Sequence, residues 1–515
     1  MMVRCSQCLY FYLFTLVGYS LGSPEYWAER SQILADESHE SLGGKLKFNR
    51  GERAVNDILM TAKAQEIRVG FYDPSNFLPS RNFMAVIEDI KESSTFQMIR
   101  KMPKGALLHA HDTALTSVEF VYSNITFRDH LHICRPGAPG EILGFRFLRS
   151  PDADGTCKSQ YGWENLADLR ADPNKADEIN AMVKNSLTMV VPNPEKQYPN
   201  VDEAWTAFMN VFTITEPLLT YYPVFEDYYY QGLTELRDDN VFYLELRSIL
   251  PNLYDLDGKV YGPIDVARLY KHTTDRFVKD NPDFIGAKLI FAPVRQCTTS
   301  TLDEYLRIAE ELKKELPDFV AGFDLVGQED KGKPLIEFAD KLKAVSPDIP
   351  LFLHAGETNW YGASTDENLI DAVLLNATRI GHGYAILKHP KILDIVKERG
   401  IAIEVNPISN QVLRLVDDLR NHPASYLFSR DFPVIVSADD PGLWGATGLS
   451  YDFYEAFLGI MSRSADIRAL KQLALNSIKF SAMSKDEKAR ALCIWNEKWA
   501  AFINDSVQDH NVLFM

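Results

Sequence analysis

Pro433-Val-Ile-Val-Ser-Ala-Asp-Asp-Pro441 is a β-branched run that stops on two adjacent carboxylates, Asp439 and Asp440, the second fixed ahead of a proline. Two neighbouring acids at the end of an apolar strand repel each other unless a cation lies close by. Three other apolar runs also stop on ionisable groups: Leu107-Leu-His-Ala-His-Asp112, Leu351-Phe-Leu-His-Ala-Gly-Glu357 and Arg379-Ile-Gly-His-Gly383. Working outward from these gives eight short apolar runs, at 106–111, 241–247, 287–292, 320–326, 350–354, 378–382, 401–406 and 433–437. Amphipathic stretches of helical period lie between most of them, as at 302–316, 335–345, 367–375 and 390–399. Near-continuous apolar strands alternating with helices form a parallel sheet with covered faces. Eight such units predict an α/β (β/α)₈ TIM barrel, with a doubly wound open sheet as the competing pattern. Barrel sites lie at the carboxyl ends of the strands, where His109, His111, Gly327, His354, His382 and Asp439 all fall.

With 515 residues and 46% hydrophobic content, the chain can bury a large core and more than one domain. Residues 1–22 read as a secretory signal peptide, with Arg4, an apolar run at 8–17 and small residues at Ser20-Leu-Gly22. No later run approaches the roughly 18 apolar residues of a membrane span, so the expected product is a secreted, extracellular protein. Cys134 and Cys157 then pair in a Gly/Pro-rich region with little core of its own. Cys297 and Cys493 are far apart in sequence and are read as free, buried thiols. Asn124, Asn376 and Asn504 open glycosylation sequons. A net charge of −17 argues against a nucleic-acid polymer as partner, because binding phosphates needs clustered Lys and Arg.

Residues 23–100 are helical and charged, with an apolar stripe that includes Ile58, Leu59, Ala62 and Ile67. We expect this region to build a homodimer, the alternative being that it packs back on its own barrel. The catalytic unit is expected over 101–515, interrupted at 124–185 by a small inserted domain that holds the cysteine pair. Arg128, Arg135, Arg146, Arg149 and Lys158 make that insertion a candidate surface for a cell-surface receptor or a glycosaminoglycan, against the reading of a solvated loop surface.

Residues i and i+2 of a strand share a face, so His109 and His111 point together into the barrel mouth. With His354 and Asp439 they supply three nitrogens and one oxygen and leave room for a water, the ligand pattern of a mononuclear hydrolytic metal site. Zinc fits that set best, and manganese or iron is compatible with it. Glu357, three residues beyond His354, is placed to give a proton to a heteroaromatic nitrogen if burial raises its pKa. His382, between two glycines, can approach an attacking water as base or charge stabiliser, and Asp440 is left to meet substrate.

Met102-Pro-Lys-Gly-Ala-Leu-Leu-His-Ala-His-Asp-Thr-Ala114, His354-Ala-Gly-Glu-Thr358, Arg379-Ile-Gly-His-Gly383 and Ser437-Ala-Asp-Asp-Pro-Gly442 resemble the motifs of the adenosine deaminases. The signal segment, the N-terminal extension, the insertion, Asn406-Pro-Ile-Ser-Asn-Gln411 and Gly448-Leu-Ser-Tyr-Asp-Phe-Tyr-Glu455 resemble the secreted branch, the adenosine deaminase growth factors. That resemblance implies one zinc per chain on His109, His111, His354 and Asp439, with Glu357 as proton donor to purine N1 and His382 assisting the water. It also implies Asp440 on N7, the Gly327 backbone on N3, Asp112 on the ribose and Trp205 along the sugar side. The implied reaction converts adenosine or 2′-deoxyadenosine to inosine or deoxyinosine and ammonia. The His-x-Glu…Pro-Cys-x-x-Cys signature of the cytidine-type deaminases is absent. Two rivals remain: an amidohydrolase acting on another purine, such as AMP or adenine, and a secreted growth factor whose deaminase pocket is not essential.

Overall fold

The computed structural model of the chain describes residues 23–136 and 141–513; the expected signal peptide lies outside the described residues. All eight apolar runs are strands: β1 Gly105–His111, β2 Val241–Ser248, β3 Gly286–Phe291, β4 Val320–Phe323, β5 Phe352–Ala355, β6 Arg379–His382, β7 Ala402–Val405 and β8 Val434–Val436. Each pairs in parallel with the next within two four-stranded halves, β1-β2-β3-β4 and β5-β6-β7-β8. A bridge between Phe323 and Leu351 joins the halves on one side, and a parallel bridge between Ala110 and Asp439 joins them on the other. The barrel therefore closes, as the eight-unit pattern predicts, and the open sheet is excluded.

The closing seam is made by functional positions. The Asp439 amide donates to the His109 carbonyl at 3.0 Å, and the His111 amide donates to the Asp439 carbonyl at 2.9 Å. Closure thus sets the first and last strands side by side with two histidines and a carboxylate facing one another. Nearly every strand residue is buried, because the barrel interior fills one face and the outer helices cover the other.

Four helices precede the barrel: α1 Pro24–Glu40, α2 Arg50–Tyr72, α3 Phe83–Lys91 and α4 Ser94–Lys101. A capping box starts α2, with the Asn49 side chain accepting from the Glu52 amide and the Glu52 carboxylate accepting from the Asn49 amide. Val55 and Leu59 on α2 are buried in the chain's own core, so that part of the expected dimer stripe packs back on its own chain. Ile58 and Ala62 line a groove of about 1010 Å³ along α2, and Phe71 and Tyr72 are 81% and 78% exposed.

Between β1 and β2 lies the expected insertion, a three-stranded antiparallel sheet with Leu131–Cys134 between Gly144–Phe147 and Trp163–Asn165. Its apolar residues, Ile133, Phe145 and Phe147 among them, share a cluster with Leu218 and Tyr228 of the helices Val201–Leu219 and Tyr222–Asp238. Cys134 and Cys157 are bonded, with Cα atoms 5.6 Å apart and a sequence separation of 23, while Cys297 is free and buried; Cys493 is free but exposed, not buried as expected, on the C-terminal helix Lys485–Leu513. A loop of this length contributes roughly 3 kcal/mol in the chain-entropy model. Cys157→Ser should therefore lower the melting temperature, and peptide mapping without reduction should recover 134 and 157 in one linked species; finding both thiols alkylatable contradicts the pairing.

Candidate active site

The four histidines and the acids that end the strands meet at the carboxyl end of the barrel. The Nε2 atoms of His109 and His111 both lie 3.1 Å from the same oxygen, Oδ1 of Asp439. His354 packs against His109 with ring centroids 4.6 Å apart. His382 Nε2 sits 3.6 Å from the other Asp439 oxygen, and His382 Nδ1 sits 3.5 Å from Glu357 Oε1. Ligand atoms of His109, His354, His382 and Asp439 all lie within 4.8 Å of one another, as do those of His111, Asp439 and Asp440. Six side chains thus compete for a metal. The approach of His109 and His111 to one oxygen, with His382 farther away on the other, favours the set His109, His111, His354 and Asp439.

The residues fit a cation. His109 Nε2 and Asp439 Oδ1 are buried with no hydrogen-bond partner among the described residues, a costly state that a metal ion would relieve. Each deep imidazole is aimed from behind by a carboxylate: His109 Nδ1 meets Glu404 Oε2 at 2.7 Å, and His354 Nδ1 meets Asp324 Oδ2 at 2.6 Å. Those contacts put the proton on Nδ1 and leave Nε2 free to bind metal. The carboxylates are themselves fixed by buried arginines. Arg247 donates to Asp324 at 2.8 Å and to Glu404 at 2.7 Å, while Arg379 donates to Glu404 at 2.6 Å and to Glu245 at 2.5 Å. His382 instead meets the amides of Asn406 and Asn410, at 3.4 and 3.2 Å.

Proton states follow from these surroundings. Burial lowers the His354 imidazole to about 4, against the pull of Asp324, and it holds His382 well below the usual imidazole range, against the pull of Asp439. Both rings are therefore neutral at pH 7. Burial alone would raise Asp439, but the His109 and His382 imidazoles outweigh it and hold the carboxyl well below its usual range. Glu357 goes the opposite way, pushed well up by burial and then by the charges of Asp439 and Glu329. Asp440 rises through burial and the neighbouring Asp439 charge. One site thus holds an ionised carboxylate beside two protonated ones, the division of labour that acid–base chemistry needs.

Two of the site residues carry backbone strain. Asp439 and His382 adopt φ of 60° and 58°, values that side-chain-bearing residues rarely take. Gly381 packs so close that a Cβ would lie 3.2 Å from the His109 ring and from His354 Cα.

A cavity of about 240 Å³ opens above this cluster. His111, Asp112, Trp205, Gly327, His354, Glu357, His382, Asp439 and Asp440 all line it, and His109 lies beneath them. Trp205 comes from the helix Val201–Leu219, together with Phe208, Met209, Phe212 and Glu216, which the sequence reading did not single out. The Asp112 carboxylate is heavily engaged by protein, accepting from Ser248 Oγ, from the Tyr270 hydroxyl at 2.8 Å and from the Thr113 amide at 2.8 Å. Glu245, Arg247, Asp324, Arg379 and Glu404 were also unread as site residues; they are charges inside otherwise apolar strands or at their ends, and that was the available signal.

The chain matches the adenosine deaminase family over residues 176–493 and the adenosine/AMP deaminase N-terminal family over 18–99. It is 47% identical over 477 residues to adenosine deaminase of Phlebotomus duboscqi, covering 92% of this chain and 91% of that one. It is 40% identical over 480 residues to adenosine deaminase 2 of Homo sapiens, covering 92% and 93%. Among solved structures, an amidohydrolase from Burkhoderia ambifaria with bound zinc shares the fold at a TM-score of 0.53 and 19% identity, over 80% of this chain and 95% of that one. The N6-methyl-AMP deaminase of Arabidopsis thaliana shares it at 0.53 and 17%, over 78% and 98%. The chain belongs to the adenosine deaminase family, in the growth-factor (type-two) branch that carries the N-terminal domain.

If the buried carboxylates aim the imidazoles, Asp324→Asn should weaken the affinity for added zinc roughly 10–100-fold. Competition with a chromophoric chelator measures it, with circular dichroism as the control for folding. An unchanged affinity in a folded variant contradicts the role given to Asp324.

Proposed function

We propose that the protein is an extracellular zinc enzyme that hydrolyses adenosine and 2′-deoxyadenosine to inosine and deoxyinosine, releasing ammonia. The enzyme is an adenosine deaminase, a hydrolase with a buried His/Asp metal site and a purine nucleoside as substrate. The observation that carries the zinc assignment is the convergence of the His109 and His111 Nε2 atoms on one Asp439 oxygen that no donor satisfies in hydrogen-bond geometry, with the His354 ring edge-on against His109.

His109, His111, His354 and Asp439 would hold one zinc ion. When bound, zinc acidifies water toward neutral pH and so supplies a nucleophile. The chain's own residues do the rest. Glu357 keeps its proton because it is buried beside Asp439 and Glu329, and its partnerless Oε1 faces the cavity, where it can protonate purine N1 and make C6 electrophilic. The neutral His382 takes a proton from the attacking water and holds it for the departing amine. Asp440, with Oδ1 partnerless and its carboxyl protonated, is placed to hydrogen-bond N7, and the Gly327 backbone to meet N3. Trp205 walls the sugar side and excludes water, and Asp112 keeps about one acceptor site for a ribose hydroxyl.

Secretion is supported by the disulfide, by the signal-like composition of 1–22 and by the absence, among the described residues, of a helix long and apolar enough to cross a membrane. Asn124, Asn376 and Asn504 are exposed, as attachment of glycans requires. The insertion offers little free positive charge for a glycosaminoglycan. Arg128, Arg135, Arg146 and Arg149 are paired with Asp227, Glu164, Asp154 and Asp257. Any growth-factor-like effect is then best assigned to removal of adenosine rather than to a dedicated receptor surface.

Exposed apolar side chains on the N-terminal helices, Tyr26, Trp27, Ile33 and Leu34 on α1 and Phe71 and Tyr72 on α2, support a homodimer built through this region.

Replacing the proton donor by its neutral isostere, Glu357→Gln, should leave zinc content intact and lower kcat by about 10²–10⁴-fold. Near-normal inosine production by the zinc-loaded variant contradicts the mechanism. For the assembly, light scattering should find a dimer for the natural chain and a monomer for the double variant Trp27→Asp, Phe71→Asp. A natural chain that is monomeric at micromolar concentration rules the assembly out.

A further inference from the structure

The cavity is polar at both ends. Its floor holds the strand-end residues that meet the base, and its far wall is the helix Val201–Leu219. Trp205, Phe208, Met209, Phe212 and Glu216 recur on that helix at steps of three or four residues, so they form one stripe along the cavity. All are apolar except Glu216, which sits at the exposed rim one residue before Pro217.

Three observations set Glu216 apart. Its side chain makes no hydrogen bond or ion pair with any described residue, whereas the neighbouring Asp112 carboxylate is tied to three donors. Although the side chain is exposed at the rim, it sits close to the Asp112 carboxylate, and partial burial and then that neighbouring charge raise its pKa. No lysine or arginine is among the residues that line the cavity. The other carboxylate at this end, Asp112, accepts three bonds from Ser248, Tyr270 and Thr113, out of about four that a carboxylate can take. Glu216 is therefore the acceptor left over for a ligand. With the base anchored on the floor, the part of a nucleoside that reaches the rim is its sugar.

We propose that Glu216 is a specificity-determining residue, accepting a hydrogen bond from a sugar hydroxyl of the nucleoside and repelling a 5′-phosphate. This rests on the adenosine-deaminating reading of the site. A phosphate would bring about two negative charges to a rim that already carries Glu216 over Asp112 and offers no cation to receive them. The same group thus favours the nucleoside and rejects the nucleotide, by one attractive and one repulsive contact.

Steady-state kinetics on adenosine and AMP with the natural enzyme, Glu216→Gln and Glu216→Lys, all zinc-loaded, tests this. Glu216→Gln should raise KM for adenosine about threefold or more while leaving kcat within about twofold, because a charged acceptor becomes a weaker neutral one at a position away from the reacting atoms. Glu216→Lys should raise the ratio of kcat/KM for AMP to that for adenosine by at least about tenfold. Equal zinc content and equal circular dichroism keep a folding defect from imitating either result. With the natural enzyme active on adenosine, an unchanged KM in Glu216→Gln or an unmoved ratio in Glu216→Lys overturns the proposal. A natural enzyme that forms no inosine at all overturns the activity reading itself, and the proposal with it.

Discussion

Both oxygens of Glu404 are committed, one to Arg379 and the other to Arg247 and His109, and this buried junction organises the interior of the barrel. Three carboxylates, Glu245, Asp324 and Glu404, and two arginines share a region with essentially no solvent. Burying so many charges costs several kcal/mol per ion unless each is paired and hydrogen-bonded. Here each is paired, and the Arg247 and Arg379 guanidiniums both donate to the Leu108 carbonyl of β1. The network is better understood as a positioning device than as a source of stability. Its product is two imidazoles with fixed tautomers, facing a third and a carboxylate.

Barrel closure does the remaining work. The seam between β1 and the segment after β8 is formed by His109, His111 and Asp439 through their own backbones, so folding and assembly of the ligand set are one event. Asp439 reaches its place with a left-handed φ, a local cost carried by the closure around it. Glu357 lies in a different regime. Its amide and that of Gly356 donate to Glu329, so the loop after β5 is tied down while the Glu357 carboxyl is left without a partner at Oε1. In the proposed mechanism this acid stays protonated, and it is kept apart from donors that would ionise it, while Asp439 in the same site is held ionised.

Most of this was legible in the sequence. The eight apolar runs fall on the eight strands within a few residues, because a strand buried on both faces leaves an unbroken apolar trace. The site residues were visible as ionisable groups where such runs stop. What escaped was inside the runs: Glu404, Arg379, Arg247 and Glu245 look like interruptions of a core strand, and only the closed barrel brings them together. Glu216 escaped for another reason. On an amphipathic helix, a glutamate reads as solvated surface unless the helix is known to wall a cavity. The arginines of the insertion read as free charge because their partners Asp227 and Asp257 are distant in sequence. Along the N-terminal stripe, Leu59 lies in the chain's own core and Ile67 packs against it, while Ile58 and Ala62 line a groove.

X-ray absorption at the zinc edge, on the natural protein with its metal stoichiometry determined on the same sample, tests the central claim most directly. That claim is that a carboxylate-aimed set of three histidines and one aspartate holds a single ion. The account predicts one zinc per chain, with a first shell of three imidazole nitrogens and a carboxylate oxygen. A protein without stoichiometric metal, or a first shell containing fewer than three imidazoles, would contradict it.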